Sequence, residues 1–206
     1  MSTQSPRSTL SREAIIEAAV TMVSDVGLDQ LSLRRLATHL GVTAPALYAH
    51  VSDKGDLLRS IAETGFGDLV ARCEAVTDPD PLKRIGQLSH AYVEYAIAEP
   101  EIFRLMFLFR PREISAEETA DGDQVDNELE LATQAFALPM VAISEALAAG
   151  LIHPDRDPLG TALALWTVSH GLASVLLLGM GFDTATRDQL VDDVITLTLA
   201  GLATAP

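Results

Sequence analysis

The sequence predicts an all-α protein, with an N-terminal three-helix helix-turn-helix domain over residues 1–55 and a larger helical bundle over residues 56–206. Three observations point there. Two short helices joined by a tight turn can be read between Leu31 and Leu58. Apolar residues elsewhere recur three and four apart, the spacing that gathers them on one face of a helix. A charge-free stretch over 158–182 is followed by one more apolar-periodic segment, a pair suited to packing side by side.

The first helix runs from about Ser11 to Val26, where Ala14, Ala18, Met22 and Val26, flanked by Ile15, Ala19 and Val23, form a wide apolar stripe that Gly27 ends. Arg7 and Arg12 precede or open it, as a basic arm for a phosphate or as solvated charges. The second helix places Leu33, Leu36, Ala37 and Leu40 on one face, with Ser32 before it as N-cap and Gly41 supplying a left-handed end. Thr43 then caps a third helix of about two turns, with Pro45 in its first turn and Leu47 and Val51 as an inward pair. Ala44, Pro45 and Ala46 make a small tip that allows close approach to a groove, suited to thymine methyls by shape and apolar contact. Tyr48, His50, Lys54 and one of Arg34 or Arg35 are candidates for phosphate contacts, with Lys54 at the positive end of the next helix.

The run from Ser11 to Leu58, above all GVTAPALYAHVSDKGDLL, resembles the N-terminal domain of the TetR family of transcriptional regulators. The family's Leu-Tyr-x-His-Phe-x-x-Lys signature is matched by Leu47, Tyr48, His50 and Lys54, with Val51 in place of the usual aromatic and Gly55 where many members carry an acid. The resemblance covers about the first quarter of the chain. It implies that Arg34, Arg35, Thr43, Ala44, Pro45, Ala46, Tyr48, His50 and Lys54 form a surface for double-stranded DNA.

A net charge of −15 runs against nucleic-acid binding until its distribution is considered. Residues 1–60 hold six basic and six acidic residues, whereas the rest holds eight and 23, so the whole excess of acid lies beyond position 60. A neutral end beside an acidic body fits a DNA-facing end with weak non-specific affinity. The apolar content of 48% over 206 residues is enough for a sizeable core. A single cysteine, Cys73, precludes an internal disulfide and suits a reducing compartment, and the polar start MSTQSPRST carries no export signal, so a cytoplasmic location is expected.

In the body, a long linking helix runs from Asp53 to about Glu74 through Leu57, Leu58, Ile61, Phe66, Leu69 and Val70, until Asp78-Pro79-Asp80-Pro81 breaks it. The next reaches Glu99 with Ile85, Leu88, Tyr92, Tyr95 and Ala96 on one side, and a short one after Pro100 carries Ile102, Phe103, Met106, Phe107 and Phe109. Tyr92, Phe103, Met106 and Phe107 are candidates for lining an apolar ligand pocket, with plain core as the alternative. From Arg110 to Glu130 the chain reads as a solvated acidic loop leading into a helix, with an apolar period resuming only at Val125, Leu129 and Leu131; Asp121, Asp123 and Asp126 match no calcium loop, and no metal or cofactor is expected. The following helix reaches Gly150 through Phe136, Met140, Ile143 and Leu147, with Pro139 inside it as a kink.

Residues 158–182 are long enough for a membrane span, which takes about 20 apolar residues. Their Thr161, Thr167, Ser169, His170 and Ser174, and the lack of basic flanks, favour a buried helix instead. With the last helix, about Thr184 to Leu202, carrying Leu190, Val194, Leu197 and Leu199, it would form half of a four-helix bundle between two subunits. Trp166, His170 and Gly171 resemble the C-terminal domain of a TetR subgroup named for those three letters. Trp166 and His170 share a helix face, either as a pocket with His170 as its polar anchor or as a hydrogen-bonded core histidine beside a core tryptophan.

These readings lead to a sequence-specific regulator, expected to be a ligand-responsive repressor that binds a palindromic operator as a homodimer through its last two helices. Its effector is expected to be small and apolar. No nucleophile and base at recognisable spacing, phosphate loop or metal set argues for an enzyme. A helical ligand-binding or membrane-associated protein that does not bind DNA is the alternative.

Overall fold

A serine, threonine or aspartate stands immediately before most of the helices, and its side chain accepts the backbone N–H groups that a helix start leaves unpaired. The computed structural model describes residues 10–108 and 123–204. Ser11 accepts the Ala14 N–H and opens α1 (Arg12–Val26), and Ser32 accepts the Arg35 N–H and opens α2 (Leu33–Leu40). Gly41 ends α2 at φ 68°, so that the Val42 N–H reaches back to the Ala37 carbonyl at 2.9 Å. That left-handed turn is open to glycine at little cost, and it sets α3 across α2.

The third helix is shorter than its sequence suggests. Regular α-helix covers only Ala44–Leu47 as α3, and Tyr48–His50 continue as a turn whose His50 and Val51 N–H groups both reach the Leu47 carbonyl. The Thr43 hydroxyl makes no cap bond. Pro45 has removed one of the N–H groups it would take, and the Ala46 N–H bonds the Thr43 carbonyl instead. Val26, placed in the core stripe by its spacing, is half exposed at the end of α1, whereas Ile15, Ala19, Met22 and Val23 are buried.

Asp53 caps α4 (Lys54–Glu74), and Asp80 with Pro81 opens α5 (Pro81–Ala98). The chain continues as α6 (Pro100–Leu108), α7 (Asp123–Ala148, running through Pro139), α8 (Pro158–Leu176) and α9 (Thr184–Leu202). Helix α4 buries one face along its length, from Leu57 to Cys73, and packs on α1, α5, α6 and α7. The larger of two core clusters runs through it from Ile15 on α1 to Leu202 on α9, and a smaller one joins Val93, Leu172, Val191 and Ile195. At Gly65 the approach of α6 is so close that an added Cβ would sit 2.7 Å from Ile102 Cγ2 and 2.9 Å from Met106 Sδ. Arg7, Phe109 and Asp121 lie outside the described residues, as do the side chains of Asp123, Val125, Asp126 and Leu129.

Candidate functional site

The N-terminal unit is tied together by one arginine. Arg12, at the start of α1, donates to both carboxylate oxygens of Asp56 at 2.5 and 3.0 Å, to the Ser60 hydroxyl at 2.8 Å and to the His50 carbonyl at 2.8 Å. Asp56 also accepts the Ser52 backbone N–H at 2.8 Å and the Ser52 hydroxyl at 3.0 Å. Although its side chain is only 4% exposed, the guanidinium and these donors hold its carboxyl down at about 2. Arg12 is therefore neither a phosphate arm nor a solvated charge. It joins α1 to the turn after α3 and the start of α4, a role that local sequence could not announce because its partner lies 44 positions away.

The surface left outward is that of α2, α3 and the turn after it. Arg34, Arg35, Thr43, Pro45 and Lys54 are exposed, Ala44, Ala46 and His50 are half-buried, and Tyr48 is 56% exposed. Leu47 and Val51, between them, are buried. Arg35 donates to the Gln30 side chain, and Arg34 extends from the same helix one residue earlier. Lys54 is the first residue of α4, so its charge adds to the unpaired N–H groups of that helix end.

In the body, α4, α5, α7 and α8 enclose a cavity of about 380 Å³. Its wall is built from Phe66, Leu69 and Cys73 on α4, Ile85, Leu88, Ser89 and Tyr92 on α5, Thr133, Ala135, Phe136 and Pro139 on α7, and Ala162, Leu163, Leu165, Trp166 and Ser169 on α8, with Phe107 from α6. Of the residues expected there, Tyr92, Phe107 and Trp166 do line it. Phe103 and Met106 do not; each is 3% exposed and packed in the core. The reason is helical register, since α6 turns Ile102, Phe103, Leu105 and Met106 inward and gives only Phe107 to the cavity.

His170 stands behind the wall. Its Nδ1 is 2.9 Å from the Tyr92 hydroxyl, which accepts the Trp166 indole N–H at 3.3 Å, and its ring packs against Phe103 and Phe107. Burial pushes its pKa down, favouring the neutral ring, and pushes the Tyr92 hydroxyl up. With its proton on Nε2, His170 accepts at Nδ1 a hydrogen bond from the Tyr92 hydroxyl, so Trp166, Tyr92 and His170 form one satisfied chain. Cys73 is pushed up to about 11 by burial and is a neutral thiol. Among the described residues no three His, Cys, Asp or Glu side chains converge as for a metal.

The sequence had not singled out Ser89, which lacks a flanking motif, or Ser169, which sits among Trp166, His170 and Gly171 but read only as a polar residue of a buried helix, as lining residues, nor Phe66 and Phe136, whose spacing reads equally as core. A further feature is an apolar stripe on α8. Leu159, Leu163 and Trp166, at i, i+4 and i+7, are 52%, 45% and 40% exposed, the last two of them at the cavity, and Leu197 on α9 is 72% exposed. Helix α8 is long and apolar enough to cross a membrane by length and composition.

A small-tipped two-helix reader braced by an ion pair, borne on a helical body with an apolar cavity, defines a transcriptional regulator with an N-terminal DNA-binding domain. Comparison with known proteins agrees. Residues 15–61 match the model for bacterial regulatory proteins of the tetR family, and residues 85–200 match the tetracyclin repressor-like C-terminal domain. This chain belongs to the tetR family. It is 28% identical over 193 residues to an uncharacterised HTH-type transcriptional regulator of Mycobacterium tuberculosis, Rv0681, covering 94% of this chain and 82% of that one. Over 54 residues it is 50% identical to the class C tetracycline repressor of Escherichia coli, 26% of this chain and 25% of that repressor. A solved structure of a protein of unknown function from Rhodococcus sp. RHA1 superposes with a TM-score of 0.78 at 30% identity, covering 98% of this chain and all (100%) of that one. Proteins of this family are transcriptional regulators and not enzymes.

Proposed function

We propose that the protein is a cytoplasmic, ligand-responsive repressor that binds a near-palindromic DNA operator as a homodimer. Residues 1–55 form the reader and residues 56–206 the effector-binding and dimerisation unit. In each subunit α3 enters a major groove, with Ala44, Pro45 and Ala46 toward base edges. Thr43, Tyr48, His50, Lys54 and one of Arg34 or Arg35 hold the backbone. The two subunits join through α8 and α9, whose exposed Leu159, Val168, Val175 and Leu197 would be covered in a four-helix interface. Covering these side chains accounts for the apolar length of α8 without a membrane.

The observation that carries the ligand response is the course of α4. This one helix begins at Lys54 in the reader and ends with Phe66, Leu69 and Cys73 on the cavity wall. A ligand that favours one position of α4 over another changes the separation of the two readers. The coupling needs only a difference in its affinity for the two shapes, typically about 1–3 kcal/mol.

The test is selection of binding sites from random duplex DNA, with wild type beside a Tyr48→Ala, Lys54→Ala variant. A near-palindrome recovered by wild type alone is the expected result. No enrichment by either protein at low salt would remove DNA reading from the proposal.

A further inference from the structure

The composition of the cavity wall narrows its occupant. Among the described residues, none of those lining it is an aspartate, glutamate, lysine, arginine or histidine. The titratable groups that do face it, Tyr92 and Cys73, sit in the neutral form, and His170 behind them is biased the same way. An ion entering the depth of this space would give up hydration with no opposite charge in the described wall to meet it.

Two polar groups in the wall are uncommitted. Ser89 on α5 and Ser169 on α8 face each other closely enough to border together a second, smaller cleft with Leu165 and Ile195. Ser169 is 6% exposed, yet neither hydroxyl has a hydrogen-bond partner among the described residues. Buried hydroxyls are ordinarily paired, and helical serines readily bond back to the preceding turn. By contrast, the Tyr92 hydroxyl and the Trp166 indole N–H are engaged with each other, and the remaining hydroxyl of the wall, that of Thr133, belongs to an exposed residue that has an interaction of its own.

Resting on the reading of this cavity as the effector site, we infer that its ligand is an uncharged, mainly apolar molecule whose one neutral oxygen function, carbonyl or hydroxyl, is held by Ser89 and Ser169. A hydroxyl donates to a carbonyl and accepts from an alcohol, so the pair serves either. It supplies no charge for a carboxylate or an amine. The rest of the molecule lies against Phe66, Phe136 and Trp166.

Three probes with one ring system separate the contributions: 2-acetylnaphthalene, 2-naphthoate and 2-ethylnaphthalene, titrated calorimetrically into the full chain at pH 8. The ketone should bind at least tenfold more tightly than the carboxylate. In a Ser89→Ala, Ser169→Ala variant the ketone should lose about tenfold, as expected for two neutral hydrogen bonds, while 2-ethylnaphthalene stays within about twofold of wild type. That last comparison guards against a merely misfolded variant. Equal or tighter binding of 2-naphthoate, an unchanged ketone affinity in the variant, or no binding of any probe overturns the inference. Affinity for the selected DNA, measured with saturating ketone, is the separate arm. The predicted order of binding with unchanged DNA affinity upholds the ligand class and refutes the effector reading alone.

Discussion

Replacing Asp56 with asparagine should destabilise the protein by about 2 kcal/mol at pH 7. The figure follows from the carboxyl itself, which drops from an ordinary 3.8 to about 2 in the fold, at about 1.4 kcal/mol per pH unit. Breaking a fully buried ion pair costs more, about 3–5 kcal/mol, but the Arg12 side chain is 33% exposed, so water reaches the abandoned guanidinium. The sign with pH is fixed. A carboxyl whose folded pKa is depressed contributes stability that is complete above its unfolded value, near 4, and is lost as pH falls toward about 2. Urea denaturation at constant protein concentration is the assay, because a dimer's stability varies with concentration. The variant should lie about 2 kcal/mol below wild type at pH 7, and the gap should shrink to about half by pH 3. A loss under about 0.5 kcal/mol, the scale of an ordinary surface substitution, would refute the reasoning, as would a gap that does not change with pH. Since Arg12 also holds the His50 carbonyl in the turn after α3, DNA affinity should fall in the variant even where the fold persists.

Three other outcomes are expected. Lys54→Ala should weaken DNA binding evenly across sequences and lower the slope of log affinity against log salt by about one, measured by anisotropy of a labelled duplex; an unchanged slope removes Lys54 from the phosphate contacts. Gly65→Ala should cost about 1–3 kcal/mol by overpacking, because its Cβ would meet Ile102 and Met106 inside 3.0 Å, and a melting temperature within a degree of wild type would contradict the closeness of α4 and α6. Leu197→Glu should leave the fold of each subunit intact, the side chain being 72% exposed, but should dissociate the dimer in sedimentation equilibrium; a variant that stays dimeric moves the interface off this part of α9.

Much of this protein was legible in the sequence because the deciding forces are local. Ser32 before Leu33 and Gly41 after Leu40 fix the ends of α2 through hydrogen bonds spanning three to five residues, and the structure has both where the residues implied. The Leu47, Tyr48, His50 and Lys54 pattern identified the family for the same reason, since it sits within a single turn and its flanks. Thr43 marks where local reading began to fail. A threonine before a helix reads as a capping side chain, but Pro45 two residues on removes a donor and the backbone takes the other.

What only the tertiary structure decided depends on partners distant in sequence. Arg12 could be read as a phosphate arm until Asp56 was brought against it by the packing of α1 on α4. Phe103, Met106 and Phe107 carry the same apolar signal, and helical register against α4 and α5 alone determined that two are core and one is cavity wall. Ser89 and Ser169 are unremarkable serines 80 residues apart in the chain. Their uncommitted hydroxyls acquire meaning only where α5 and α8 bring them together beside an apolar space, because a hydroxyl's cost and use are set by what surrounds it and not by its neighbours in sequence.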